Sequence, residues 1–182
     1  MLKIRFLILA IASLWCLGLH AEDGKPSFVY KTVLVLDGDT FIATDGNVTF
    51  RVRIAAMDAP ENGQPYSKMA TFRLKQILMS GNVIIKPVGK GHDRYGRVLG
   101  AVFVGQEDVA LTLIQEGLAT YYRPSCRDYP ADGNKYNYDP AIYVKAEKQS
   151  NELGQNMWSR PRVELPCRYR QKDGGSPDFS GR

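Results

Sequence analysis

The chain has 182 residues, 44% of them hydrophobic and 24% charged, and a formal net charge of +5. That length suits one domain with a real core, and the mild basic excess suits a polyanionic partner without demanding one. Neither a Walker loop, nor a dinucleotide fingerprint, nor a Gly-x-Ser-x-Gly elbow is present, so no motif points to P-loop, dinucleotide-binding or elbow-type hydrolase chemistry, although a Ser-His-Asp hydrolase is not strictly excluded.

Residues 1–21 are expected to stand outside the fold. Lys3 and Arg5 make a basic start, residues 6–19 are almost wholly apolar, and Leu19-His20-Ala21 offers a small residue at a cut before acidic Glu22-Asp23. This is the pattern of a secretory signal peptide, and the apolar run is too short for an ordinary membrane span. The alternative is an uncleaved anchor. Cleavage implies a secreted or periplasmic protein with no stable membrane association, and lowers the formal charge from +5 to +3. It also leaves His92 as the sole histidine, so two-histidine ribonuclease chemistry and histidine-metal nuclease motifs are excluded. Cys126 and Cys167 remain, too few with one histidine for a structural zinc site. In an exported chain such a pair most economically reads as one disulfide, the alternative being two free thiols.

Residues 28–36 form a β-branched-rich strand, and Asp37-Gly38 signals a tight hairpin. Residues 40–44 form a second strand, and Asp45-Gly46 another turn. Residues 48–57 give the clearest strand, with Val48, Phe50, Val52, Ile54 and Ala56 on one face and Thr49, Arg51 and Arg53 on the other. Pro60 ends that segment. Ala70, Leu74, Ile77 and Leu78 repeat at helical steps through residues 67–79, and Gly81 supplies a stop. Residues 83–88 read as a strand, 89–96 as a loop and 98–104 as a strand. Asp108 can cap a helix over 109–116 that closes at Gly117. Residues 123–139, rich in Pro, Asp, Asn, Gly and Tyr, form a long loop, and 140–153 a third helix with proline in its first turn. Residues 171–182 are too poor in apolar side chains to pack and are expected to be disordered, leaving residues 22–170 as the domain. Five short strands with interleaved helices predict an α+β, mainly β, small barrel.

Three segments carry chemistry: Asp37-Gly38-Asp39-Thr40, the run from Arg53 to Glu61, and Asp93-Arg94-Tyr95-Gly96-Arg97. Taken singly, each has a bland reading. Asp39 and Asp58 are turn residues, Glu61 beside Pro60 is a solvated loop residue, and Arg53 and Arg97 are exposed ion-pair partners of little energetic weight. Taken together they supply hard carboxylate oxygens for Ca²⁺ or Mg²⁺ and forked guanidiniums for phosphate. A phosphodiester under attack gathers negative charge on its equatorial oxygens, so one cation and two arginines are matched stabilisers.

The order and spacing of these segments, with Gly117-Leu118-Ala119 and the closing Asn156-Met157-Trp158-Ser159, resemble the staphylococcal nuclease (thermonuclease) family over residues 28–159. The resemblance implies an OB-fold five-stranded barrel with three helices. It implies a Ca²⁺-dependent endonuclease acting on DNA and RNA with little sequence preference, favouring single-stranded or breathing regions and leaving 3′-phosphate ends. Asp39 and Asp58 match the family's calcium-binding aspartates, and Ala59 stands where the family uses a backbone carbonyl, often that of threonine. Glu61 matches its catalytic glutamate, and Arg53 and Arg97 the arginines that grip the scissile phosphate. Arg94 (where lysine is usual) and Tyr95 match contacts to a terminal phosphate. Tyr122, with Tyr121 as the alternative, is a candidate stacking platform for bases. A monomer is expected. The rival reading is a non-catalytic OB-fold module that only binds nucleic acid.

Overall fold

The computed structural model describes residues 29–124, 126 and 139–172; the expected signal peptide and most of the 123–139 loop lie outside them. Among the described residues eight strands form: β1 (Val29–Val35), β2 (Thr40–Thr44), β3 (Thr49–Ile54), β4 (Met57–Asp58), β5 (Val83–His92), β6 (Val98–Val104), β7 (Glu107–Asp108) and β8 (Thr120–Tyr121). Four α-helices accompany them: α1 (Ser67–Met79), α2 (Val109–Gln115), α3 (Pro140–Glu152) and α4 (Pro166–Lys172). No described helix is long and apolar enough to cross a membrane.

β1, β2 and β3 form an antiparallel meander, β5 pairs with both β1 and β6, and a parallel pairing of β3 with β6 closes the ring. The result is a five-stranded barrel in an α+β chain, as the strand and helix pattern predicts, and of the OB type that the family resemblance implies. Its interior is filled from alternate strand positions, Phe41, Val52, Ile54, Val83, Ile85 and Val102 among them. Leu74, Ile77 and Leu78 on α1 and Leu113 and Ile114 on α2 extend that core on the outside of the barrel. Asp108 caps α2 by accepting from the Leu111 amide at 3.0 Å and also accepts from Tyr143 Oη at 2.6 Å, which ties α3 to the start of α2.

Four local expectations change. The strand expected over 48–57 stops at Ile54, because Ala56 adopts a left-handed φ of 66° and redirects the chain into β4, which pairs with β8. Val48, expected on the core face, lies before β3 and is 57% exposed. The loop expected from residue 89 begins later: β5 bulges after Pro87 and its ladder with β6 resumes at His92. Finally, α4 adds a helix beyond the expected three and carries Gln171 and Lys172, assigned above to the tail. Pro166 fits a first helical turn, and Cys167 anchors the helix through a disulfide to Cys126, their Cα atoms 5.7 Å apart.

Candidate active site

The β1–β2 hairpin is tight because Asp37 folds back on its own turn. The Asp39 amide donates to Asp37 Oδ1 at 3.0 Å, and the Leu36 amide donates to the Thr40 carbonyl at 2.9 Å. Gly38 is required by close approach: a Cβ there would lie 2.6 Å from the Ala59 Cβ and 2.9 Å from that of Ala70. The absent side chain lets the hairpin press against the segment after β4 and against α1. Asp39 thereby reaches the amide of Ala59, which donates to its Oδ2 at 3.1 Å. The contact the structure gives Ala59 is thus through its amide.

Arg53 leaves the barrel on the outward face of β3, as alternation predicts, yet its side chain is only 11% exposed. Nη1 donates to the carbonyls of Ile54 and of Met57, the latter at 2.9 Å, so the backbone kink at Ala56 bends around this guanidinium. Nη2 stands 3.0 Å from Asp39 Oδ2 and 3.1 Å from Asp58 Oδ1. Two hard carboxylates therefore converge on one nitrogen. By its chemistry this pair fits a small divalent cation, although no cluster of three or more His, Cys, Asp or Glu side chains is poised as an ion cage among the described residues.

Across the cleft, Asp93 organises the β5–β6 turn. Its Oδ1 accepts from the amides of Tyr95 and Arg97 at 2.9 and 3.0 Å, and its Oδ2 accepts from Arg97 Nε at 2.7 Å. Arg97 Nη1 reaches Thr40 Oγ1 at 3.5 Å, and that hydroxyl donates to Asp39 Oδ1 at 3.0 Å. A continuous polar chain thus runs from Asp93 through Arg97 and Thr40 to the aspartate pair. Tyr95, 49% exposed, lies between two cations, with the Arg94 and Arg97 guanidinium carbons 4.8 and 5.4 Å from its ring centroid.

Asp39, Arg53, Ala59, Glu61, Arg94, Tyr95, Arg97 and Tyr122 all line a single open cleft of about 1760 Å³. Asp58 lies beneath its floor at 1% exposure. Tyr121, the alternative platform, is buried and stacks on Tyr143 with ring centroids 6.0 Å apart, so its ring belongs to the core. Cys126 and Cys167 stand at the rim.

Two site residues escape sequence reasoning. Asp37, read as a turn residue, lines the cleft, and burial together with the neighbouring Asp39 pushes its carboxyl up to about 7. Arg170, on α4, forks onto Asp58, with Nη1 2.9 Å from Oδ1 and Nη2 2.8 Å from Oδ2, and Nη1 also bonds Glu61 Oε1. Burial pushes the Asp58 and Glu61 carboxyls up, against the pull of Arg170 on both and of Arg53 on Asp58. Arg170 itself is held more firmly protonated by its two carboxylates, which overcome the opposing effect of its burial. No local pattern marks Arg170, 112 residues after Asp58 in sequence; the disulfide pairing is the one clue that its segment returns to the domain.

A closed OB-type barrel carrying carboxylates and arginines in one lateral cleft defines the class. The staphylococcal nuclease homologue family matches residues 51–160. The chain is 33% identical over 150 residues to a micrococcal nuclease of Shigella flexneri, covering 78% of this chain and 79% of that protein. It is 34% identical over 138 residues to a thermonuclease of Staphylococcus hyicus, covering 71% and 75%. An uncharacterized endonuclease of Haemophilus influenzae is 28% identical over 144 residues, covering 79% and 73%. The chain belongs to the staphylococcal nuclease family.

Proposed function

We propose that this protein is a calcium-dependent endonuclease that hydrolyses phosphodiester bonds of DNA and RNA with little sequence preference. The observation that carries the reading is the meeting of Asp39, Asp58, Glu61, Arg53 and Arg97 about one cleft, in a chain of the staphylococcal nuclease family. A module that only bound a polyanion would gain nothing from carboxylates set into the floor of its cleft, because they repel phosphate. That observation favours catalysis over binding alone.

In this reading Asp39 and Asp58, with the Ala59 carbonyl, would hold Ca²⁺. Bound there, the ion would supply charge neutralisation to the phosphate under attack. Glu61 accepts the proton of the attacking water as its oxygen bonds to phosphorus, and the 5′ oxygen departs in line. Arg53 and Arg97 neutralise the equatorial oxygens, where forked donors reach two oxygens at once. Arg94 and Tyr95 contact a flanking phosphate, and Tyr122 offers a face to a base. Contacts to backbone and base faces carry little sequence information, so unpaired and breathing strands are favoured. The protein acts as a monomer, secreted or periplasmic, where its Cys126–Cys167 bridge persists.

The test is a gel assay of single- and double-stranded DNA and RNA with Ca²⁺, with Mg²⁺ and with chelator. Cleavage of both polymers with Ca²⁺, abolished by chelator, is expected. Intact polynucleotides after incubation of the folded protein with calcium would overturn the reading.

A further inference from the structure

Arg170 has no place in the mechanism above, yet it touches two of that mechanism's carboxylates. Its two terminal nitrogens occupy both oxygens of Asp58, and Arg53 Nη2 takes a further position on Oδ1. A carboxylate has about four lone-pair positions, so these contacts leave Asp58 nearly saturated. A hard divalent ion binds carboxylate oxygens at about 2.3–2.6 Å. Guanidinium nitrogens 2.8 and 2.9 Å from the same oxygens stand in the way of such an ion and repel it by charge.

The contact is built by the fold. Cys167 and Arg170 are three residues apart on α4 and so share one face of that helix. The bridge to Cys126 fixes the face that meets the cleft rim. A second clamp runs through buried Gln64, which accepts from the Glu61 amide at 2.8 Å and donates to the Glu164 carbonyl at 3.0 Å. A third is the close approach of Tyr169, whose Oη lies 2.9 Å from where a Cβ at Gly63 would stand. Despite these clamps the Arg170 side chain is 27% exposed, against 11% for Arg53. It can leave its partners for solvent more readily than Arg53 can.

We propose that Arg170 is a tethered internal counter-ion of this site, a guanidinium that closes Asp58 and Glu61 and that a divalent cation must displace. This inference rests on the metal-dependent reading above. The bridge and the Gln64 clamp keep the guanidinium close to the carboxylates, so it competes at high local concentration. Cation affinity is accordingly set lower than the carboxylates alone would give, and Asp58 is spared unpaired buried charge.

Calorimetric titration of the oxidised protein with Ca²⁺, without substrate, tests this directly. Arg170→Gln is expected to bind calcium at least tenfold more tightly than the parent. In calcium-free buffer the same variant melts at a lower temperature than the parent, and calcium raises its melting temperature more, since a ligand of the native state stabilises it in proportion to occupancy. Equal or weaker calcium binding by folded Arg170→Gln would overturn the counter-ion role. The double variant Cys126→Ser/Cys167→Ser tests the tether: tighter calcium binding with Arg170 present supports it, and unchanged binding removes it from the proposal. Absence of calcium binding by parent and variants alike would instead overturn the metal-dependent reading.

Discussion

Three guanidiniums meet the carboxylates of this cleft, and each is anchored differently. Arg53 is locked by two backbone carbonyls, Arg97 by Asp93, and Arg170 by the carboxylates themselves. Arg97→Ala and Glu61→Ser are each expected to lower turnover by about 10³, the lower range of arginine-finger effects in phosphoryl transfer. Circular dichroism should be unchanged, and near-normal turnover in folded Arg97→Ala would exclude the role given to Arg97. Asp93 makes a pH prediction. Burial acts to raise its carboxyl, but Arg97 and the amides of Arg97 and Tyr95 outweigh burial and hold it below its ordinary 3.8. A depressed acid contributes stability that is present above its unfolded pKa and fades as pH falls through the folded one. Urea denaturation should therefore show Asp93→Asn less stable than the parent near pH 6, with the gap narrowing below about pH 4, where unfolded-state aspartate titrates. A gap constant with pH would count against the assignment.

At the level of elements, α3 meets the cleft wall at Arg123 through a buried ion pair. Glu147, 2% exposed, accepts from Arg123 Nη2 at 2.8 Å, and its other oxygen accepts from the Tyr121 amide at 3.3 Å, just before Tyr122. Glu147→Ala strips a buried cation of a carboxylate and is expected to cost about 3 kcal/mol by chemical denaturation; a loss under 1 kcal/mol would show that the pair is not structurally important. Elements with regular periodicity were legible in sequence. α1 is found at 67–79 and β6 at 98–104, as their apolar spacing predicts. The departures lie where long-range partners override local pattern. Arg53 draws the carbonyls of Ile54 and Met57 around itself and ends β3 early, and β6 carries β5 past the glycines that read as a loop. α4 buries little beyond Pro166 and Cys167, too short an apolar pattern to register.

Across the whole molecule, the Cys126–Cys167 bridge fastens the cleft rim to the last described helix over a sequence separation of 41. The chain-entropy model gives such a closure about 4 kcal/mol. Unfolding of the reduced protein should shift to correspondingly lower denaturant, and a shift under about 1 kcal/mol would show that the bridge orients α4 without stabilising the domain. That Asp39, Arg53, Glu61 and Arg97 share one cleft, with Asp58 bonded to Arg53 beside it, could be anticipated from the order of their segments and the family resemblance, though not from any one of them singly. The places of Arg170 and Asp37 could not. The first depends on a tertiary return of the chain, and the second on how deeply a turn is buried.

The parallel seam between β3 and β6 is held by three residue pairs, Val52 with Val98, Arg53 with Leu99 and Ile54 with Gly100. Arg53 rides within that seam, and Arg97 stands one residue before its first rung. The phosphate grip proposed for these two arginines would therefore depend on the same seam that closes the barrel. Slackening those rungs is expected to separate the two guanidiniums, so activity followed on warming should fall before the far-UV strand signal does.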